Sequence, residues 1–280
     1  MFKKVLIANR GEIATRVIRA CKELSIPTAA IYSEADATSL YVKKADESYM
    51  VGPGPIQGYL NIHRLVDLAT KIGVDAIHPG YGFLSENPRF PLLCEKKGIT
   101  FIGPTSKTIA EMGNKVMARK MMKKAGIPIL PGTEESVQSI EEAIAAAELI
   151  GYPVMVKASG GGGGRGLRVA WSEKELVNAM GTAQKESAAA FGASEVFLEK
   201  YLDKPHHIEF QIMADHHGNI VHLGERDCSI QRRHQKLIEI TPSLMLDEEL
   251  RRKMGETAVK AARAVNYTNA GTIEFLVDNE

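Results

Sequence analysis

The chain has 280 residues, 44% hydrophobic and 25% charged, with room for about two domains of roughly 150 residues; a formal net charge of +1 argues against a broad nucleic-acid-binding surface. Cys21, Cys94 and Cys228 are far apart with no CxxC pair, so each reads as a small buried hydrophobe in a reducing compartment, with no disulfide framework or zinc site. No apolar run approaches the ~20 residues that span a bilayer, and "MFKKVLIANRGE" is too short an apolar stretch for a signal peptide, so a cytoplasmic protein without membrane contact is expected.

The first hundred residues alternate strand and helix. "KVLIAN" (4–9) is a short buried strand and "EIATRVIRACKEL" (12–24) has apolar residues at helical spacing. "PTAAIYS" (27–33) is a second strand, "LNIHRLVDLATKIG" (60–73) a second helix, and "DAIHPG" (75–80) a third strand. "LCEKKG" (93–98) ends a helix and "ITFIGP" (99–104) is a fourth strand. Such alternation predicts a mostly parallel, doubly covered α/β sheet. The turn "ANRGE" lacks GxGxxG, so it does not predict a dinucleotide site.

After residue 104 the texture changes. "TIAEMGNKVMARKMMKKAG" (108–126) reads as a helix, a Gly-Asn break and a basic helix, and the Pro-Gly-rich stretch Gly126 to Gly132 reads as a linker. A capped helix (139–151), a strand (153–159), five glycines (160–164), another strand (167–171) and a long helix (172–191) follow. Strands at 195–202, 206–215 and 219–227, a helix at 247–265 and a strand from 271 complete an α+β half built from hairpins.

The glycine run lies between two apolar strands, which suits a hairpin tip that folds over phosphate better than a passive turn: bare backbone N–H groups reach an oxyanion only where no side chain blocks them. No GK[ST] follows, so it is not a Walker loop; Lys157 stands on the strand before it, closer to the logic of kinases. Lys115 alone reads as a surface charge, and Glu199 with Lys200 as a charged strand end that also suits an adenine. His207 and Glu209 share one strand face, either as metal ligands or as a polar sheet face. The stretch "GERDCSIQRRHQK" (224–236) is crowded with donors fit for oxyanions. Glu274, in "GTIEFLVDNE", reads as a carboxylate buried among Ile273, Phe275 and Leu276, needing either a metal ion or an arginine as partner.

Together "IANRGEIA", "IHPGYGFLSEN", "FIGP", "GNKVMARK", "VKASGGGGGRG", "LEKYL", "HIEFQ", "GERDCSIQRRHQK" and "AGTIEF" resemble biotin carboxylase, an ATP-grasp ligase, from Phe2 to the last residue. The resemblance implies a Rossmann-like domain over residues 1–113 and an ATP-grasp domain over 114–280, with a flap subdomain at about 132–202. It implies that Lys115 and Lys157 contact ATP phosphates while Gly162, Gly163, Gly164, Arg165 and Gly166 close over them. It places Glu199, Lys200 and Leu202 at the adenine, His207 and His234 near ribose and phosphates, Glu274 on Mg²⁺ (or Mn²⁺), and Lys236 as the catalytic residue holding bicarbonate. The implied reaction is ATP- and bicarbonate-dependent carboxylation of biotin through carboxyphosphate. The implied partners are a biotin carboxyl carrier protein, a second copy through the N-terminal domain (with Arg16, Arg19 and Glu23 as charged candidates), and the carboxyltransferase of an acetyl-CoA or pyruvate carboxylase.

In the family, a further strand resembling "FIEMNTRIQVEHP" supplies a second metal carboxylate and the proposed base. The chain stops before it, so the resemblance implies a C-terminally truncated piece, inactive alone. "LIEITPSLML" (237–246) is closer to the pyruvate carboxylase branch than to the acetyl-CoA carboxylase branch. The alternatives are another ATP-grasp ligase, such as carbamoyl-phosphate synthetase, and a non-catalytic interaction fragment.

Overall fold

The computed structural model describes residues 1–158, 167–191, 196–232 and 235–278, leaving aside the side chains of 115–116, 158 and 184–191. They divide into two compact units. One comprises Met1–Ala118, Met213–Val221 and Ala262–Gly271; the other comprises Arg119–Ile212, His222–Ala261 and Thr272–Glu280.

The first unit is built on a sheet of β1 (Val5–Ile7), β2 (Thr28–Ser33), β3 (Glu47–Gly52), β4 (Ala76–His78) and β5 (Thr100–Phe101). Their order is β3-β2-β1-β4-β5, all parallel, with Val5 opposite Thr28 on one side and Ala76 on the other. Helices α1 (Gly11–Glu23), α2 (Leu40–Lys44), α3 (Ile62–Lys71), α4 (Arg89–Lys96) and α5 (Ser106–Gly113) accompany it. Strand alternation explains why β1 reads as an unbroken apolar run. Leu6 joins Ala29, Ile31 and Ile77 in a core with Leu65 and Phe90, while Val5 and Ile7 join Ala14, Ile18 and Tyr41 in another.

Strand order reverses between β1 and β4, the place where open α/β sheets usually bind ligands. Here Asn9 closes it: the buried amide donates to the carbonyls of Pro79 (2.7 Å) and Tyr81 (2.8 Å). Gly80 permits this, with φ +63° and no side chain; a Cβ there would stand 2.7 Å from Asn9 Nδ2. The missing GxGxxG thus corresponds to a crevice stitched by the chain's own side chain.

The second half continues with α6 (Lys115–Lys124), α7 (Ile140–Ile150), β6 (Val154–Ala158), β7 (Leu167–Ala170), α8 (Glu173–Phe191) and β8 (Val196–Lys200). Ser139 caps α7 by accepting from Glu142 N. Strands β7-β6-β8 form an antiparallel sheet whose Val154, Val156, Val196 and Leu198 pack against Ala143, Leu176 and Met180 of the two helices. Then follow β9 (His206–Ala214), β10 (Ile220–Arg232), β11 (Gln235–Ile240), α9 (Glu248–Ala264) and β12 (Asn269–Val277), with sheet order β11-β10-β9-β12.

The structure corrects three sequence expectations. The parallel sheet has a fifth strand, β3, whose "ESYMVG" mixes charge with aromatic and apolar residues at a sheet edge. The end of the Gly126–Gly132 stretch is tied down rather than a free linker: Lys200 N donates to Pro131 O (2.8 Å) and Thr133 N to Leu198 O (2.9 Å). Glu274 is exposed rather than buried. No helix among the described residues is long and apolar enough to cross a membrane.

Candidate active site

Alternation along β9 sends Ile208, Phe210 and Ile212 into the core, and His207, Glu209 and Gln211 to the opposite face. On β12, Phe275 meets Phe210 edge-to-face at 5.9 Å, which turns Glu274 toward the His207 side. The residues between Gly224 and Arg232 lie on β10, which runs past the expected strand end at 227, so alternate side chains serve different jobs. Glu225 accepts from Arg251 Nε (2.7 Å) on α9, and Asp227 from Ser243 Oγ (3.1 Å); both hold the scaffold. Arg226 points the other way, with Nε 2.6 Å from Glu209 Oε1 and its fork reaching Gln211 Oε1 at 3.2 Å.

Lys236, on β11, is the hub. Its ammonium pairs with Glu209 and lies 2.7 Å from Glu274 Oε1. Burial opposes its charge, yet the two carboxylates hold Lys236 protonated well above the ordinary lysine range. Glu209 is likewise penalised by burial, and Lys236 and Arg226 more than offset this, keeping it below the usual carboxylate range. His207 and Lys236 pull Glu274 down to about 2, against the partial desolvation of its half-exposed carboxylate.

The amide of Gln231 lies 2.8 Å from His207 Nδ1 and donates to the carbonyl of Cys228 (2.9 Å). The other ring nitrogen of His207, Nε2, faces Glu274 Oε2 at 3.5 Å.

A second group lies at the root of the glycine run. Lys157, at the end of β6, forms an ion pair with Glu199 on β8, strands in antiparallel register. Glu199 Oε1 also accepts from Arg119 Nη1 of α6 at 2.8 Å. Lys200 faces away from Glu199, its ammonium 3.1 Å from Gly151 O and 2.9 Å from Tyr152 O. Leu202 is half-buried just beyond β8. Lys115 opens α6. Its side chain, Gly162 to Gly166 with Arg165, and His234 lie outside the described residues.

The structure therefore brings Lys157 to Glu199 and gathers His207, Lys236 and Glu274. Sequence reasoning missed Arg119, whose signal was its place one helical turn after Lys115.

Glu209, Cys228 and Glu239 also bring ligand atoms within 4.8 Å of one another. Glu209 is already shared by two cations, and burial and the Glu209 charge push the Cys228 thiol up to about 11, so this group is a poor metal site. Glu274, ionised and half exposed, offers the hard oxygen that Mg²⁺ prefers.

Comparison with known proteins finds likeness over nearly the whole chain. Residues 1–109 match the family model "Biotin carboxylase, N-terminal domain", and 114–280 match "Carbamoyl-phosphate synthase L chain, ATP binding domain". The 2-oxoglutarate carboxylase small subunit of Hydrogenobacter thermophilus is 56% identical over 280 residues, all of this chain and 59% of that protein. Biotin carboxylase 1 of Bacillus subtilis is 55% identical over 279 residues, 99% of this chain and 62% of its own length. The chain belongs to the biotin carboxylase family. Among solved structures, the biotin carboxylase domain dimer of the Hydrogenobacter 2-oxoglutarate carboxylase, in complex with MgADP, ADP and bicarbonate, superposes with a TM-score of 0.89 at 57% identity. The match covers 100% of this chain and 62% of that one. The chain thus spans about three-fifths of the length of these relatives, and its fold is theirs: a parallel-sheet unit followed by the antiparallel sheets of an ATP-grasp protein.

Proposed function

We propose that this chain takes part in the ATP- and bicarbonate-dependent carboxylation of biotin on a biotin carboxyl carrier protein. The reading rests on one observation: the Lys236 ammonium, kept charged, stands beside the exposed, ionised carboxylate of Glu274. One spot then offers a cation for an oxyanion and a hard oxygen for a metal.

Residues 1–113 act as the N-terminal domain and 114–280 as the ATP-grasp domain, with the flap at about 132–202. Lys115 and Lys157 neutralise ATP phosphates while Gly162 to Gly166, with Arg165, close over them and exclude water. Glu199, Lys200 and Leu202 hold the adenine; His207 and His234 lie near ribose and phosphates. Mg²⁺, or Mn²⁺ in its place, would be held by Glu274 and would neutralise phosphate oxygens when bound. Lys236 orients bicarbonate, whose oxygen attacks the γ-phosphorus as ADP departs. The resulting carboxyphosphate breaks into CO₂ and phosphate; the phosphate takes the ureido N–H proton of biotin as that nitrogen bonds the carbon of CO₂. Carboxyphosphate is short-lived in water, so charge neutralisation within a closed flap is the physical requirement.

The partners proposed are the biotin carrier, a second copy of the chain and a carboxyltransferase subunit, all cytoplasmic. The solvated face of α1 bearing Arg16, Arg19 and Glu23 supports self-association, and size-exclusion chromatography tests it. The acceptor in the name of the Hydrogenobacter protein belongs to that protein, so the reading commits to chemistry on biotin and to no acceptor. The deciding assay is ADP release in the complete native polypeptide. Release that requires bicarbonate and rises with free biotin supports the reading; release that requires ammonia or an aminoribonucleotide overturns it.

A further inference from the structure

We infer that Arg119 is a positioning residue for nucleotide binding: it secures Glu199 so that the Lys157 ammonium is free to exchange a carboxylate for a phosphate. This rests on the proposed roles of Lys157 and Glu199.

Glu199 is only 18% exposed, and its two oxygens are divided between two cations: Oε1 takes Arg119 at 2.8 Å and Oε2 takes Lys157. Serving a nucleotide phosphate divides the Lys157 ammonium between two anions and draws it away from Glu199. A largely buried carboxylate abandoned by its partner carries a desolvation penalty that opposes the departure. Arg119 removes that penalty by staying.

Its seat is built for the task. The second guanidinium nitrogen, Nη2, donates to Leu130 O at 2.8 Å, so the planar fork is fixed at both prongs. Gly132 lets the preceding segment lie directly on β8: a Cβ there would come 2.7 Å from Leu198 O and 3.1 Å from Arg119 Nη2. The arrangement joins residues 80 apart in sequence, and Arg119 has no role in the assignments made above.

The test uses the complete native polypeptide and calorimetric titration with ADP and, separately, adenosine. R119Q keeps a hydrogen-bonding end without charge, and R119M is the apolar counterpart, so a folding failure in one leaves the other to decide. Either variant is expected to weaken ADP binding about tenfold, the scale of one charge contact, with a clearly smaller loss for adenosine, which reads only the adenine contact of Glu199. E199Q removes the carboxylate that detains Lys157, so R119Q/E199Q should bind ADP as E199Q alone does. Unchanged ADP affinity in the Arg119 variants, equal losses for ADP and adenosine, or a double variant still weakened relative to E199Q would overturn the inference. Wild-type protein that binds neither ligand would sink the proposed nucleotide site itself.

Discussion

The Lys236 ammonium stands 2.7 Å from Oε1 of Glu274 and pairs with Glu209, so one cation from β11 bridges carboxylates on β9 and β12. Replacing Lys236 with Gln keeps a hydrogen-bonding end and removes the charge. Turnover in the complete native polypeptide is expected to fall on the order of a hundredfold, as for loss of one oxyanion-stabilising donor. The KM for ATP should change less than about threefold, because the proposed phosphate lysines, Lys115 and Lys157, are left in place. An unchanged rate would remove Lys236 from the chemistry.

Glu274→Gln keeps the size of the side chain and removes the hard anionic oxygen. The metal concentration at half-maximal activity is expected to rise about tenfold, with direct Mn²⁺ binding in the presence of ADP weakened alike. Equal Mn²⁺ binding in both proteins would place the metal on other residues.

Local pattern made some of this legible and long-range pairing hid the rest. The run "VLI" announces a strand covered on both faces, and Val5 and Leu6 do enter separate cores. The apolar strands flanking the glycines predict a hairpin, and β6 and β7 pair in antiparallel register. The "ESYMVG" edge strand has no clean period, so it escaped notice. For Glu274 the alternation was readable, but it gives only parity: which face the rest of the molecule covers is decided by tertiary packing, and Glu274 lies on the open one. Arg119 and Glu199 meet across 80 residues, a distance at which no local pattern speaks.

Asp36 provides a test in acid. Burial alone would raise its pKa, yet hydrogen bonds from Arg10, Tyr59 and Ser33 outweigh burial and hold it below the ordinary 3.8. The unfolded chain therefore takes up this proton more readily than the folded one. The stabilisation is complete above the unfolded value of 3.8 and is lost as pH falls from there through the lower folded value. Asp36→Asn should cost roughly 2 kcal/mol at neutral pH by leaving Arg10 without its anion. It should also flatten the fall in stability below pH 4. Urea unfolding at a series of pH values from 7 to 3 reads both, and an acid limb of unchanged steepness in the variant would refute the assignment.

Glu225 and Arg251 clamp the strand that carries Arg226. The Glu225 side chain is 3% exposed and accepts from Arg251 Nε at 2.7 Å and Ser243 N at 3.2 Å. The same guanidinium donates to the carbonyls of Ser243 and Leu246, both at 3.1 Å, so one pair ties β10 and α9 to the segment between them. Breaking it from either side strands a group in the interior. Glu225→Gln and Arg251→Leu are each expected to lower stability by about 3 kcal/mol, the range for a buried pair deprived of one member. The double variant should be at most ~0.5 kcal/mol worse than the more damaged single variant, because the second change removes the stranded partner. Thermal unfolding of the four proteins measures the coupling. Additive losses would mean that the two residues stabilise the fold independently, and that Arg226 is held in place by β10 alone.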